Sequence, residues 1–305
     1  MQHIVVRLLH SALTLWAVFT AVFFILRLLP GDAITTALFD SGASPEVIAE
    51  RQRRLGLDQH PVVQYAQALT GLITGDLGIS LQDGQPVIDR IRSQIGATLE
   101  LASLALLIGA AAGLSLGTAA AGTSILAHAV RIGINLILSI PIFWAGTLAI
   151  LVFSVWLGWL PSSGNGGLRH ALLPAFVLGI SGAGPIAQVL HQAIAGTRHE
   201  PFLLAAAARG IPDRQIFIRH HLRIAVLPAV SVLGLQAGYV LGGTVITEAL
   251  FTRPGLGRLL YDAVLRQDYP VVQGIVLWMG LIYLVMRFTV QQVSAVLDPR
   301  LRMVE

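Results

Sequence analysis

Seven of the polar residues that fall inside apolar stretches are the first place to look for chemistry: Asn135, Ser139, Gln188, His191, Gln236, Tyr239 and Thr244. Each can line a path through a membrane, and each also has a plainer use. Serine and threonine hydroxyls bond their own helix backbone. His191 either lines a water-filled path with Gln188 and Gln192 or simply reaches solvent from the end of its stretch. Glu100 and Glu248 lie near the ends of apolar runs, where charge is least costly; pairing with Arg27 or a backbone donor is the structural reading of each. Arg287 lies deeper, and must face protein or a cavity, or snorkel. His220 and His221 form a packing or surface pair before they form a metal site. The sequence holds no HExxH, no GxSxG, no carboxylate pair and no metal-ligand cluster, and it lacks cysteine. All 20 basic residues are arginine. A phosphate-binding P-loop needs its lysine, so this chain is not an ATP-hydrolysing unit.

The other unusual stretch is mechanical in character. Residues 196–223 read GTRHEPFLLAAAARGIPDRQIFIRHHLR and carry Arg198, Arg209, Arg214, Arg219 and Arg223. Helix-forming residues run over 201–209, with four alanines in a row. Gly210, Pro212 and Asp213 then break the helix, and a second amphipathic piece follows with Ile216, Phe217 and Ile218. Two readings are open: a short helix–turn–helix outside the bilayer, small enough in its side chains to be gripped closely by a partner, or an ordinary loop whose charge fixes topology.

The elements that hold these residues are spans. A hydrophobic fraction of 55% with only 12% charged residues marks an integral membrane protein, because ordinary soluble domains are roughly a quarter charged. The length allows about six spans of ~20 residues. The predicted spans are 11–29, 97–122, 130–156 with a kink at Pro141, 171–195, 225–250 and 271–297. The first is retained rather than cleaved, since Arg27 interrupts it and no small-residue cleavage site follows. The expected fold is therefore an all-α membrane protein divided into 1–29 (terminus and first span), 30–96 (a small helical extracytoplasmic region) and 97–305 (five spans). Within 30–96, Ser44-Pro45-Glu46 starts a helix, a second runs over 61–73, and Val87, Ile88, Ile91 and Ile95 predict an amphipathic helix along the membrane surface. Gly109, Gly113 and Gly117, and again Gly234, Gly238 and Gly242, recur every four residues and predict close helix packing.

Arginine counting sets the orientation. Arg7, Arg131, the five of the central stretch, Arg300 and Arg302 share one side; Arg169, Arg253, Arg258 and Arg266 share the other, with the long first loop omitted. Both termini and residues 196–223 are then expected in the cytoplasm.

The motifs together resemble the permeases of binding-protein-dependent ABC importers, in the dipeptide/oligopeptide/nickel branch. Ala205-Ala206, Arg209-Gly210, Arg219-His220, Leu222-Arg223 and Leu227-Pro228 resemble its cytoplasmic coupling loop. Leu29-Pro30-Gly31-Asp32, Leu55-Gly56-Leu57-Asp58, Gly75-Asp76-Leu77-Gly78 and residues 97–102 resemble its first half. Trp159-Leu160-Pro161, residues 248–251, residues 253–258, Asp268-Tyr269-Pro270 and Asp298-Pro299-Arg300 resemble the rest. The chain departs at Leu204, where the loop has a nominal glutamate, and at Arg287 and Gln291, where the sixth span usually has Asn and Asp.

The resemblance implies a type I importer permease of the bacterial inner membrane, non-catalytic and without a cofactor or metal of its own. Its implied partners are a second homologous permease across the glycine-rich faces, two ATP-binding subunits holding ATP and Mg, and an extracytoplasmic solute-binding protein; no nucleic acid is implied. Ala205, Ala206, Arg209, Gly210, Arg219, His220 and Arg223 would couple to the ATPases, and the seven polar residues named first are candidates for the path. Small peptides and nickel or metal chelates are both open as substrates. The rival reading, a stand-alone channel or proton-coupled carrier, leaves the Ala/Arg/Gly stretch unexplained. An intramembrane enzyme lacks a nucleophile–base pair at one depth.

Overall fold

The computed structural model describes residues 2–28, 44–197 and 200–297, and every described segment of regular structure is helical. The helices are α1 (Gln2–Leu28), α2 (Pro45–Arg54), α3 (Pro61–Thr74), α4 (Val87–Ala120), α5 (Ile125–Ser139), α6 (Ile142–Ala149), α7 (Leu168–Gly196), α8 (Pro201–Ala208), α9 (Asp213–Ile216), α10 (Leu222–Leu250), α11 (Leu256–Leu265) and α12 (Tyr269–Leu297). Ile150–Trp156 continues α6 as π-helix, and Phe217–His221 joins α9 to α10 in the same way. Leu29-Pro30-Gly31-Asp32, Arg198 and Asp298-Pro299-Arg300 lie outside the described residues.

Five stretches are long and apolar enough to cross a membrane: Leu9–Leu28, Val87–Ala120, Leu168–Gly196, Arg214–Leu250 and Tyr269–Val290. A sixth requires Ile125–Ser139 and Ile142–Trp156 to be taken together, and these meet at 105°. Pro141 therefore does more than kink the third span. Lacking an N–H and pushing the preceding residue out of the helical region, it ends α5 outright, and Ile140 takes an extended conformation (φ −88°, ψ 121°).

The chain forms two compact units. The first comprises residues within 1–98 and 254–284, so the region between spans one and two shares its unit with α11 and the start of α12. Its core is built from Leu26, Val87, Ile91, Leu256, Val271, Val272 and Ile275. Here one expectation is corrected. Val87 and Ile91 do not lie on a separate surface helix. They begin the continuous 34-residue α4, and their apolar face packs on this chain's own Leu256 and Val271. The loop before α4 is tied by Asp268, whose carboxylate accepts from Ser80 Oγ at 2.5 Å and from the Leu81 N–H at 3.0 Å. Thr98 Oγ1 accepts the Leu256 N–H at 2.7 Å, satisfying one orphan donor at the α11 N-terminus. On α1, Thr20 shares a hydrogen bond of 2.7 Å with the Tyr65 hydroxyl, and Phe19, Phe23 and Phe24 surround that ring.

The second unit comprises residues within 99–253 and 285–305. The glycine ladder of α4 works as predicted but meets a different partner. A Cβ on Gly109 would lie 2.9 Å from the Gly179 carbonyl oxygen, one on Gly113 2.7 Å from Ile186 Cβ, and one on Gly117 2.9 Å from the Ala187 carbonyl oxygen. The close approach is therefore to this chain's own α7, not to a second subunit. In the second ladder, Gly234 admits Val290 of α12, whereas a Cβ on Gly242 would meet nothing within 4 Å. Ile186, Leu190, Ile194, Ala225 and Ala229 pack α7 and α10 together.

Candidate functional site

The central stretch folds as a short arm rooted on two long helices. Four consecutive alanines favour helix at little entropic loss, and α8 ends in a Schellman cap: Gly210 takes φ +77° and the Ile211 N–H bonds the Ala206 carbonyl at 3.3 Å. Leu203 and Ile216 turn inward and are almost fully buried. Ala205, Ala208, Arg209, Arg214, Arg219 and Arg223 are exposed, and Ala206 and His220 are half-buried. The arm thus shows a partner small side chains edged by guanidinium groups. The second piece is not an independent helix. From α9 through the π turn it is continuous with the fifth span, Arg214–Leu250.

The base of the arm is stapled. Thr197 donates its hydroxyl to the Ile194 carbonyl at 2.8 Å and contacts His221 Nδ1 at 2.5 Å. This joins the end of α7 to the turn that begins the fifth span. Among the described residues no group of three or more His, Cys, Asp and Glu is placed to hold a metal.

The seven candidate path residues do not converge. Asn135 and Ser139 are exposed on the last turns of α5, with the Ser139 hydroxyl bonded to the Asn135 carbonyl at 2.8 Å. Gln188 is exposed on α7, and His191 is half-buried and has an interaction partner. Thr244 is wholly buried and bonds the Leu241 carbonyl, the plainer of its two uses. Gln236 and Tyr239 do come together. Both flank Gly182 of α7, where a Cβ would lie 3.3 Å from Gln236 Oε1 and 3.8 Å from Tyr239 Cδ1. Ser181, next to Gly182 in the chain, gives its hydroxyl to the Val177 carbonyl at 2.9 Å. Gln236 is only 8% exposed, yet its Oε1 has no hydrogen-bond partner among the described residues. A buried amide oxygen left so loses about 1–3 kcal/mol, and a passing N–H donor would recover it.

Sequence reasoning missed one charge pair. Glu100 pairs with Arg253, Oε2 to Nη2 2.6 Å, and not with Arg27, which bonds Gln64 instead. Both partners lay in stretches singled out for other reasons, but nothing in their 153-residue separation signals the contact.

Comparison with known proteins decides what this architecture belongs to. Residues 105–303 match the family described as "Binding-protein-dependent transport system inner membrane component", and residues 1–102 match its N-terminal companion, "Binding-prot-dependent transport system membrane comp, N-term". The chain belongs to this family. It is a permease subunit of an ABC importer and an inner-membrane component, as the loop and end motifs led one to expect. The glutathione transport system permease protein GsiC of Salmonella typhimurium (strain LT2) is 34% identical over 305 residues, covering 99% of each chain. GsiC of Escherichia coli (strain K12) is 33% identical over 308 residues, also covering 99% of each. The di/tripeptide permease DppB of Pseudomonas aeruginosa is 33% identical, covering 95% of each. The fold is similar to that of the inward-facing MetNI methionine ABC transporter, with a TM-score of 0.58 at 18% identity over 69% of the permease and 97% of that chain.

Proposed function

We propose that the permease takes up short peptides of di- and tripeptide size, including glutathione-like ones, by alternating access. It acts beside a second homologous permease, two ATP-binding subunits that hold ATP and Mg, and an extracytoplasmic solute-binding protein. It catalyses no reaction and holds no cofactor itself. It sits in a bacterial inner membrane with both termini and residues 196–223 in the cytoplasm, the side richer in arginine.

The observation that carries the substrate is end-to-end similarity to GsiC and DppB, whose names specify glutathione and di/tripeptides. It favours peptides over chelated nickel. In the mechanism, closure of the ATPases pushes on Ala205, Ala206, Arg209, Gly210, Arg219, His220 and Arg223. Leu203 and Ile216 transmit the push by packing, and the Thr197–His221 bond carries it to the ends of α7 and the fifth span, a rigid-body switch between two states. Gln236, Tyr239 and Ser181 offer peptide N–H and C=O groups a polar contact between α7 and α10. Titration calorimetry of the cognate binding protein against dipeptides, glutathione and Ni²⁺ tests the substrate. Micromolar or tighter peptide binding without Ni²⁺ binding is expected; tight Ni²⁺ binding with no peptide binding overturns it.

A further inference from the structure

One cavity of the first unit has mostly apolar walls and carries a few polar side chains that the transport mechanism does not use. It is lined by the end of α1 (Phe19, Phe23, Arg27), by α3 (Gln64) and by the start of α12 (Gln273, Leu277). The apolar stretch of α1 ends at Leu28 and that of α12 begins at Tyr269, so these walls belong to span ends, the depth at which headgroups lie.

Two donors in the cavity have hydrogens left for a further acceptor. Arg27 gives Nε and Nη2 to Gln64 Oε1 (3.2 and 2.7 Å) and Nη1 to the Phe23 carbonyl (3.0 Å), with its guanidinium carbon 3.4 Å from the Phe23 ring centroid. Among the described residues none of these partners is an anion, and hydrogens remain on Nη1 and Nη2. Gln64 is itself held by the Leu57 and Gln59 carbonyls, which fixes the direction of the guanidinium. Gln273 is 9% exposed, and its Nε2 has no partner among the described residues. Asp76, also on the cavity wall, accepts the Gly78 N–H at 2.8 Å and is exposed.

We propose that this cavity binds the headgroup of a membrane phospholipid. The phosphate takes the remaining Arg27 hydrogens and the Gln273 Nε2–H, as charge-assisted bonds, and the first carbons of the acyl chains lie against Phe19 and Leu277. Asp76 selects a headgroup whose phosphate is followed by an ammonium, phosphatidylethanolamine over phosphatidylglycerol.

Native mass spectrometry of the full transporter in detergent tests this, with phosphatidylethanolamine, phosphatidylglycerol or inorganic phosphate added. Wild type should retain phosphatidylethanolamine in preference to phosphatidylglycerol. Arg27→Gln and Gln273→Leu should each lower retention about tenfold, and Asp76→Asn should narrow the preference between the two lipids. Gln273→Leu keeps the Arg27–Gln64 contact, so an unchanged melting temperature separates lost lipid from lost fold. Equal retention in both variants overturns the proposal. So does displacement of the lipid by inorganic phosphate, which would make the cavity a site for free anions, or by a dipeptide, which would assign it to the transport path.

Discussion

Arg253 is completely buried and places Nη2 2.6 Å from Glu100 Oε2, while its Nε and Nη1 find no hydrogen-bond partner among the described residues. The arginine follows Thr252, which is held at φ +50°, and its own N–H bonds the Glu248 carbonyl at 2.9 Å. The end of α10 is thus folded back so that a guanidinium enters the protein, and its counter-ion among the described residues is a carboxylate that remains 41% exposed. Removing one partner of such a pair strands a charge, whereas removing the buried cation itself does not. Glu100→Ala should therefore destabilise the permease by up to about 3 kcal/mol, and Arg253→Met by much less. Thermal unfolding in detergent, followed by tryptophan fluorescence, ranks the two; the opposite order contradicts this account of the pair.

Gly210 sits at φ +77° in the cap that ends α8. Proline cannot adopt that angle, and asparagine tolerates it better than alanine. Gly210→Pro should leave assembly partly intact while ATP hydrolysis no longer drives uptake. Gly210→Asn should retain more uptake than Gly210→Ala. ATPase and uptake assays on the same proteoliposomes measure the ratio directly.

The two glycine ladders make opposite predictions. Gly113→Ala forces a methyl against Ile186 Cβ and the Ala183 carbonyl, 2.7 and 3.0 Å away, and should destabilise by about 1–3 kcal/mol. Gly242→Ala meets open space and should be neutral, or stabilising by up to about 1 kcal/mol through helix propensity. Their melting temperatures decide the matter.

Gln236→Leu removes the amide oxygen beside Tyr239 that has no partner among the described residues. If that amide receives one peptide N–H, the apparent KM for dipeptide uptake should rise about fivefold, the equivalent of roughly 1 kcal/mol. Expression, assembly and basal ATPase activity should not change. An unaltered KM would remove Gln236 from the path.

Outside the membrane, the Asp83 carboxyl is held below its ordinary value. Burial pushes it up, but the Gln85 N–H and Arg90, 3.5 Å away, outweigh that and pull it down. A depressed carboxyl stabilises the fold above its unfolded pKa, near about 3.9, and that stabilisation disappears as pH falls through the lower folded value. Asp83→Asn should accordingly reduce stability slightly at neutral pH and flatten the fall below pH ~4. The effect is small because the side chain is well exposed.

What the sequence made legible follows from the range of the forces involved. The Gly210 turn and the alanine helix are local, so residue types alone placed them. The helix start at Pro45 and the left-handed Gly75 that ends α3 are legible for the same reason. Periodicity showed that Val87 and Ile91 share a face and that Gly109, Gly113 and Gly117 form a groove. It could not say what fills either, since lipid, a second subunit and the chain's own α7 or α11 all accept the same pattern. The Glu100–Arg253 pair is a tertiary contact with no local signature. Pro141 announced a disturbance, but whether a proline kinks a helix or ends it depends on the packing around it.

The central claim is that force enters the permease through the α8 arm. It is tested most directly by placing a photo-crosslinking residue at the exposed Ala205, and another at Arg209, in the assembled transporter. The account predicts that both capture a nucleotide-hydrolysing subunit, with yields that change when ATP is bound. Crosslinks that reach only lipid or this chain itself, in a complex that still imports peptide, would contradict it.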